Sequence, residues 1–253
     1  MTSILVLPDA HAHPDHDNER FTKLGKLIVS RQPEKIVCLG DLFDMPSLSS
    51  YDVGKKSFEG RRYWKDIQAG IDAQEKLFAP LQAYNKGKKK PYSPELYLTL
   101  GNHENRINRA INDDPKLEGT ISIDDLRLEE FGWKVNKFKD ILTLDNINFV
   151  HYFSSGNMDR AISSINAGKA ILNRTHASGF CGHSHLLNTH TEVTSTGERL
   201  WAGSLGCYFE HIEDYVSTTV QKTWWRGITI IHNVETGNPD LEFITLDTIN
   251  RDY

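Results

Sequence analysis

The chain has 253 residues, 38% of them hydrophobic, and a formal net charge of −5, with a pI near 6.1. That balance gives no general electrostatic attraction for nucleic acid, so any such contact would need a local basic patch. The first apolar run, Ile4 to Leu7, is far too short for a signal-peptide core, and no stretch could span a bilayer, which speaks against a membrane protein. The three cysteines, Cys38, Cys181 and Cys207, are far apart and odd in number, which argues against a disulfide framework and for a reducing, cytoplasmic compartment. No Ser/Gly-rich or Pro-rich linker divides the sequence, so residues 1–253 read as one α/β domain with a substantial core.

Ser3 to Leu7 reads as a first strand stopped by Pro8. Behind it, Asp9 to Asp17 holds three histidines and three aspartates in nine residues. Phe21, Leu24 and Ile28 recur at helical spacing and predict a helix over 19–31. Lys35 to Leu39 is a second buried strand, followed by Gly40-Asp41-Leu42-Phe43-Asp44. This β-loop-α-β order, with polar residues at the strand ends, is the pattern of a parallel sheet with a site along one edge.

Met45 to Ser57 reads as a loop, and a long helix is expected over 58–84 with Trp64, Ile67, Ile71, Phe78 and Leu81 on one face. The lysine-rich stretch 85–91 that ends it reads as a solvated loop rather than a phosphate contact. Leu96 to Leu100 is a third strand, and Gly101-Asn102-His103-Glu104 is presented at its C-terminal edge, where open α/β sheets bind ligands. Residues 104–111 look helical, 112–130 form a polar surface excursion, and Trp133 to Val150 turns strand-like, with a hairpin at Asp145-Asn146 and a strand running into His151. A helix is expected over 158–173. Gly179 to Cys181 leads into Gly182-His183-Ser184-His185, and the remainder reads as mainly antiparallel strands.

Five strand ends thus carry Asp9/His11, Asp41/Asp44, Asn102/His103, His151 and His183/His185. The donors are carboxylate, imidazole and amide oxygen, with no thiol. That mixture suits a catalytic pair of divalent cations, Mn, Fe, Zn or Ni, better than a structural zinc site. Two cations joined by a shared carboxylate could clamp both the attacking and the leaving oxygen of a phosphoryl displacement.

In this order, Asp-x-His, Gly-Asp-x-x-Asp, Gly-Asn-His-Glu, a strand-terminal His and Gly-His-x-His resemble the calcineurin-like metallophosphoesterases, over most of the chain. The resemblance implies a four-layer α-β-β-α sandwich of two mixed sheets. It implies one metal held by Asp9, His11, Asp41 and His185, a second held by Asp41, Asn102, His151 and His183, and a metal-bridging hydroxide as nucleophile. His103 corresponds to the family's catalytic histidine, which protonates the leaving oxygen or stabilises charge on the phosphoryl group. Asp44 would orient a ligand imidazole from outside the ligand set, and Arg106 would contact a substrate phosphate or make a surface ion pair. His13 and His16 are expected in the loop or behind the ligands, and His190, His211 and His232 as structural; Glu104 has no expected metal role.

Met45-Pro46 stands where the Ser/Thr protein phosphatases carry Arg-Gly, which disfavours protein phosphatase activity. Gly-Asp-Leu-Phe-Asp is similar to the repair nucleases of the superfamily, but those continue into a capping domain. The expected activity is therefore a phosphodiesterase or phosphatase acting on a nucleotide or other small phosphoester. The alternatives are a DNA or RNA nuclease, using the lysine run, Arg61-Arg62 and Arg106, and a non-catalytic metal-binding scaffold. Phe43, Tyr51, Tyr63 and Trp64 could stack on a base, with core packing as the alternative. Family members often dimerise, though no segment marks an interface.

Overall fold

The computed structural model describes residues 2–50, 53–213 and 216–253, apart from the side chain of Ser57. Strand β1 (Ile4–Leu7) turns alternate side chains to opposite faces. Leu5 and Leu7 enter one apolar core and Ile4 and Val6 another, and all four are fully buried. A strand buried on both faces belongs to a sheet covered on both sides.

The first sheet pairs β1 in parallel with β2 (Lys35–Cys38), β2 with β3 (Glu95–Thr99), and β3 with β4 (Lys134–Asn136). On its other edge, β12 (Gly227–His232) and β13 (Asp240–Thr245) are antiparallel. In the register, Leu7 lies opposite Cys38, and Cys38 opposite Leu98. The loops that follow these three strands therefore leave the sheet side by side, which brings the first three motif blocks together.

The second sheet has the order β10 (Leu187–Val193), β11 (Arg199–Leu205), β9 (Gly179–Cys181), β6 (Ile147–Phe149), β5 (Leu142–Leu144). Its β6, β9 and β11 are parallel neighbours. The expected hairpin joins β5 to β6, with Asp145 and Asn146 both at left-handed φ (48° and 62°), as a tight two-residue turn requires. Val6, Val37 and Leu39 meet Phe149, Phe180 and Leu205 between the sheets. Helices α1 (Glu19–Arg31) and α2 (Tyr63–Asn85) cover the outer face of the first sheet through Phe21, Leu24, Ile71 and Leu77, and α4 (Ala167–Thr175) covers the second through Ile171 and Leu172. Two mixed sheets between helical layers make the α-β-β-α sandwich.

Several elements differ from expectation. Helix α2 begins at Tyr63, with Phe58 in a separate short turn over 56–58. Trp64 is 62% exposed, because only the Ile67, Ile71 and Phe78 face reaches the core. Helix α3 spans Arg106–Asp113. The helix expected over 158–173 is split: a hairpin of β7 (Ser154–Ser155) and β8 (Arg160–Ala161) comes first, turned by left-handed Gly156 and Asp159, and α4 starts only after Asn166. Two further helices, α5 (Thr218–Gln221) and α6 (Leu246–Asp252), lie in the region read as strands. The Thr245 side chain caps α6 by accepting from the Thr248 backbone N–H.

Candidate metal centre and substrate cleft

All five strand ends converge. The donor atoms of Asp9, His11 and His185 lie within 4.8 Å of one another, and so do those of Asp41, His151 and His183. In the first cluster His185 Nε2 is 3.1 Å from Asp9 Oδ2. In the second, Asn102 Oδ1 is 2.8 Å from both His151 Nε2 and His183 Nδ1. Asp41 stands between them, its Oδ2 3.8 Å from His11 Nε2 and 3.3 Å from His151 Nε2.

The backbone is shaped for this convergence. His11, Asp41, His183 and His185 all have φ between 42° and 66°, a left-handed conformation that costs a non-glycine residue free energy and is concentrated at functional sites. Two glycines leave room for carboxylates: a Cβ on Gly101 would come 2.1 Å from Asp41 Oδ1, and one on Gly182 would come 2.0 Å from Asp9 Oδ1. Backbone N–H groups aim the same carboxylates, that of His103 at Asp41 Oδ1 and that of His183 at Asp9. Glu104 supports the turn from beneath, accepting from the backbone N–H of Asp41, Gly101 and Phe43. Burial, with Asp41 nearby, pushes its carboxyl up to about 7.

The electrostatics fit a pair of cations. Burial alone would raise the Asp41 carboxyl, but the imidazoles of His103, His151 and His11 outweigh it and hold the group well below the usual range. Asp9 is lowered in the same way: burial opposes, and His185 and His151 prevail. Reciprocally, burial disfavours the charged imidazole, yet carboxylates hold His11 well above its ordinary value and Asp41 pushes His151 up to about 9. Burial and the neighbouring His151 push His183 down to about 4. Two buried carboxylates are thus balanced by protons on imidazoles, the place divalent cations would take. The Nε2 of His11 is fully buried without a hydrogen-bond partner, and an orphaned ring nitrogen whose lone pair faces a carboxylate fits a site for a cation between them. Each ring's other nitrogen is held: His11 Nδ1–H donates to Glu213 Oε1 at 2.9 Å and His151 Nδ1–H to the Leu39 carbonyl at 2.8 Å, leaving both Nε2 lone pairs for a metal.

Asp44 takes a different partner from a ligand imidazole at closest range: its Oδ1 is 2.9 Å from His103 Nδ1 and 3.7 Å from His11 Nδ1. Arg106 makes no surface ion pair among the described residues. It is 8% exposed, donates to the carbonyls of Asp44 and Met45, and reaches His103 Nε2 at 2.9 Å. A guanidinium only donates, so Nε2 of His103 is an acceptor and the ring proton sits on Nδ1, 2.9 Å from Asp44 Oδ1 but without the alignment of a hydrogen bond. Burial and the Arg106 charge hold the His103 imidazole below its ordinary value.

Three contributors carry no sequence signal. Glu213 lies 202 positions from the histidine it holds. His211, expected to be structural, shares Glu213 Oε1 at 3.2 Å and stacks on His16 at 4.5 Å between centroids. Arg20 is buried on α1 and donates to the carbonyls of Ala10 and His11, fixing the first loop. His13, His16, His103, His211, Lys55 and Trp224 line a cleft of about 860 Å³. Of the aromatic residues considered for base stacking, Phe43 is fully buried in the core, with Gly70 of α2 against its ring. Tyr63 hydrogen-bonds Asp125, Trp64 does not line this cleft, and Tyr51 lies outside the described residues.

A family model described as calcineurin-like phosphoesterase matches residues 2–227. Among solved structures, one similar chain is Yfce, a phosphoesterase from E. coli, 10% identical over 97% of this chain and 100% of that one, with a TM-score of 0.40. No curated protein matches the chain.

Proposed function

This chain belongs to the calcineurin-like phosphoesterase family, and from that premise we propose that it hydrolyses a phosphodiester or phosphomonoester of a nucleotide or another small phosphoester. One divalent cation would be held by Asp9, His11, Asp41 and His185, the other by Asp41, Asn102, His151 and His183. The observation that carries this reading is the two donor clusters on either side of the Asp41 carboxylate. When bound, such a pair supplies the Lewis acidity that makes water a nucleophile at neutral pH and offsets charge on the phosphoryl oxygens. Manganese is the first metal to try, with iron, zinc and nickel as alternatives.

The side chains around the pair do the rest. The Asp44 carboxylate, 2.9 Å away, favours a proton on Nδ1 of His103 electrostatically, and Nε2 is the nitrogen left to exchange a proton with substrate. That atom faces Arg106, 2.9 Å away. An anionic phosphoryl group that drew the guanidinium towards itself would remove a like charge from the imidazole. His103 would then gain proton affinity where the leaving oxygen needs a proton. Three buried, unpaired cysteines support a reducing, cytoplasmic setting, and among the described residues no helix is long and apolar enough to cross a membrane.

The test is restoration of turnover. Chelated protein supplied with Mn²⁺ is expected to cleave bis-p-nitrophenyl phosphate; no turnover with any divalent metal would leave the scaffold reading. A panel of mononucleotides, cyclic nucleotides, dinucleotides and single- and double-stranded DNA separates the small-ester reading from the nuclease. Degradation of DNA with no small-ester cleavage would select the nuclease.

A further inference from the structure

The cleft does not stop at His103. A second cavity of about 240 Å³ is lined by Asn102, Arg106, Arg109, Tyr152, Ala161 and His183. It shares Asn102, Arg106 and His183 with the larger cleft, whereas Arg109, Tyr152 and Ala161 line it alone. The two cavities therefore extend in different directions from the same three side chains. A phosphomonoester has one organic arm and would fill one of them. A phosphodiester has two.

The smaller cavity has its own cation. Arg109 lies three residues after Arg106 on α3, so their Cβ atoms are about 5–6 Å apart on one face of the helix. The two arginines are differently occupied. Arg106 is buried and committed to two carbonyls and His103. Arg109 is exposed and, among the described residues, has no side-chain hydrogen bond or ion pair, Asp113 four residues on included. The opposite wall is braced: the Tyr152 ring is half-buried, 4.9 Å from His183 and 5.7 Å from Phe138. Lys139, which lies over Tyr152, is paired with Asp159.

An uncommitted guanidinium lining the cavity that would take the second arm of a diester matches a phosphate carried on that arm. Arginine's fork meets phosphate with two parallel hydrogen bonds. We propose that this cavity is a subsite for a phosphate flanking the scissile one, held by Arg109. The substrate is then a nucleotide-bearing phosphodiester with a neighbouring phosphate, as in an oligonucleotide strand or a small phosphorylated dinucleotide. The inference rests on the phosphoesterase reading and narrows it to diesters.

The test compares kcat/KM of metal-loaded wild type and Arg109→Ala on thymidylyl-thymidine with no terminal phosphate, with a 5′-phosphate and with a 3′-phosphate. Wild type is expected to prefer one phosphorylated form, and Arg109→Ala to lower that preference by about tenfold or more, mainly through KM, given the worth of a charge-assisted hydrogen bond. Arg109→Lys, which keeps the charge and loses the fork, should restore part of it. A wild-type enzyme indifferent to the terminal phosphate, or a preference unchanged in Arg109→Ala, overturns the subsite. Short oligothymidylates separate the sources: equal dependence on Arg109 there points to a strand, and dependence confined to the dinucleotide points to a small ligand. Failure of the wild type on bis-p-nitrophenyl phosphate with every metal would overturn the phosphoesterase reading itself, a separate outcome.

Discussion

The two donor clusters differ in what stands behind them. In the first, Asp9 and His11 are fully buried, and the outer nitrogen of His11 is held by the Glu213 carboxylate, while Arg20 grips the carbonyls of Ala10 and His11. In the second, His151 is held by the main-chain carbonyl of Leu39, and Asn102 and His183 are only half-buried along the cleft wall. A carboxylate behind an imidazole makes it a stronger base than a carbonyl does. The first cluster would therefore hold a cation more tightly, and the second would leave one open to the cleft.

The largest expected effect erases this difference. Asp41 touches both clusters, so Asp41→Asn should lose both cations by elemental analysis and bring turnover to background. A variant that kept one cation would show that the clusters do not share this carboxylate. His103→Ala should lower kcat about 10²–10⁴-fold, the usual contribution of a general acid or base, with both cations still bound. An unchanged rate would remove His103 from proton transfer.

Glu213→Gln goes to the comparison itself. Loss of such an outer partner weakens metal binding roughly 10–100-fold, and calorimetric titration should show one weakened site and one unaltered. Two sites weakened equally, or neither, would break the asymmetry. The last probe reads stability rather than activity, beneath the loop that follows Asp44. Asp66 of α2 is fully buried, accepts from the Ser47 N–H through one oxygen and has no partner at the other. Burial, helped by Asp44, pushes its carboxyl up to about 6. A folded-state value above the unfolded one means the ionised acid destabilises the fold. The penalty is absent below about pH 4, grows from pH 4 to 6 and is complete above, at about 3 kcal/mol. Asp66→Asn should raise Tm at pH 7.5 by roughly 2–4 °C for each kcal/mol recovered and leave it unchanged at pH 4. Equal shifts at both pH values would place the effect elsewhere.

Legibility in the sequence followed the same divide. Each motif block was readable because it stands directly behind a short apolar strand, and in the fold β1, β2, β3, β6 and β9 do precede the five blocks. Boundaries were less readable where competing signals met. The helix expected over 158–173 gives way at its start, where Gly156 and Asp159 turn a hairpin first. Trp64 has the spacing of the apolar face of α2 but stands in its first turn, exposed to solvent.

By itself, the sequence determined which donors the chain has, their order behind the strands and their lack of thiols, because strand periodicity and residue chemistry are local properties. Only the tertiary structure decided what each donor's far side meets. Glu213 behind His11, Arg106 on His103 and the uncommitted Arg109 beside them are consequences of distant segments packing against one edge. An imidazole's tautomer depends on both of its neighbours, and one of those neighbours can come from anywhere in the chain.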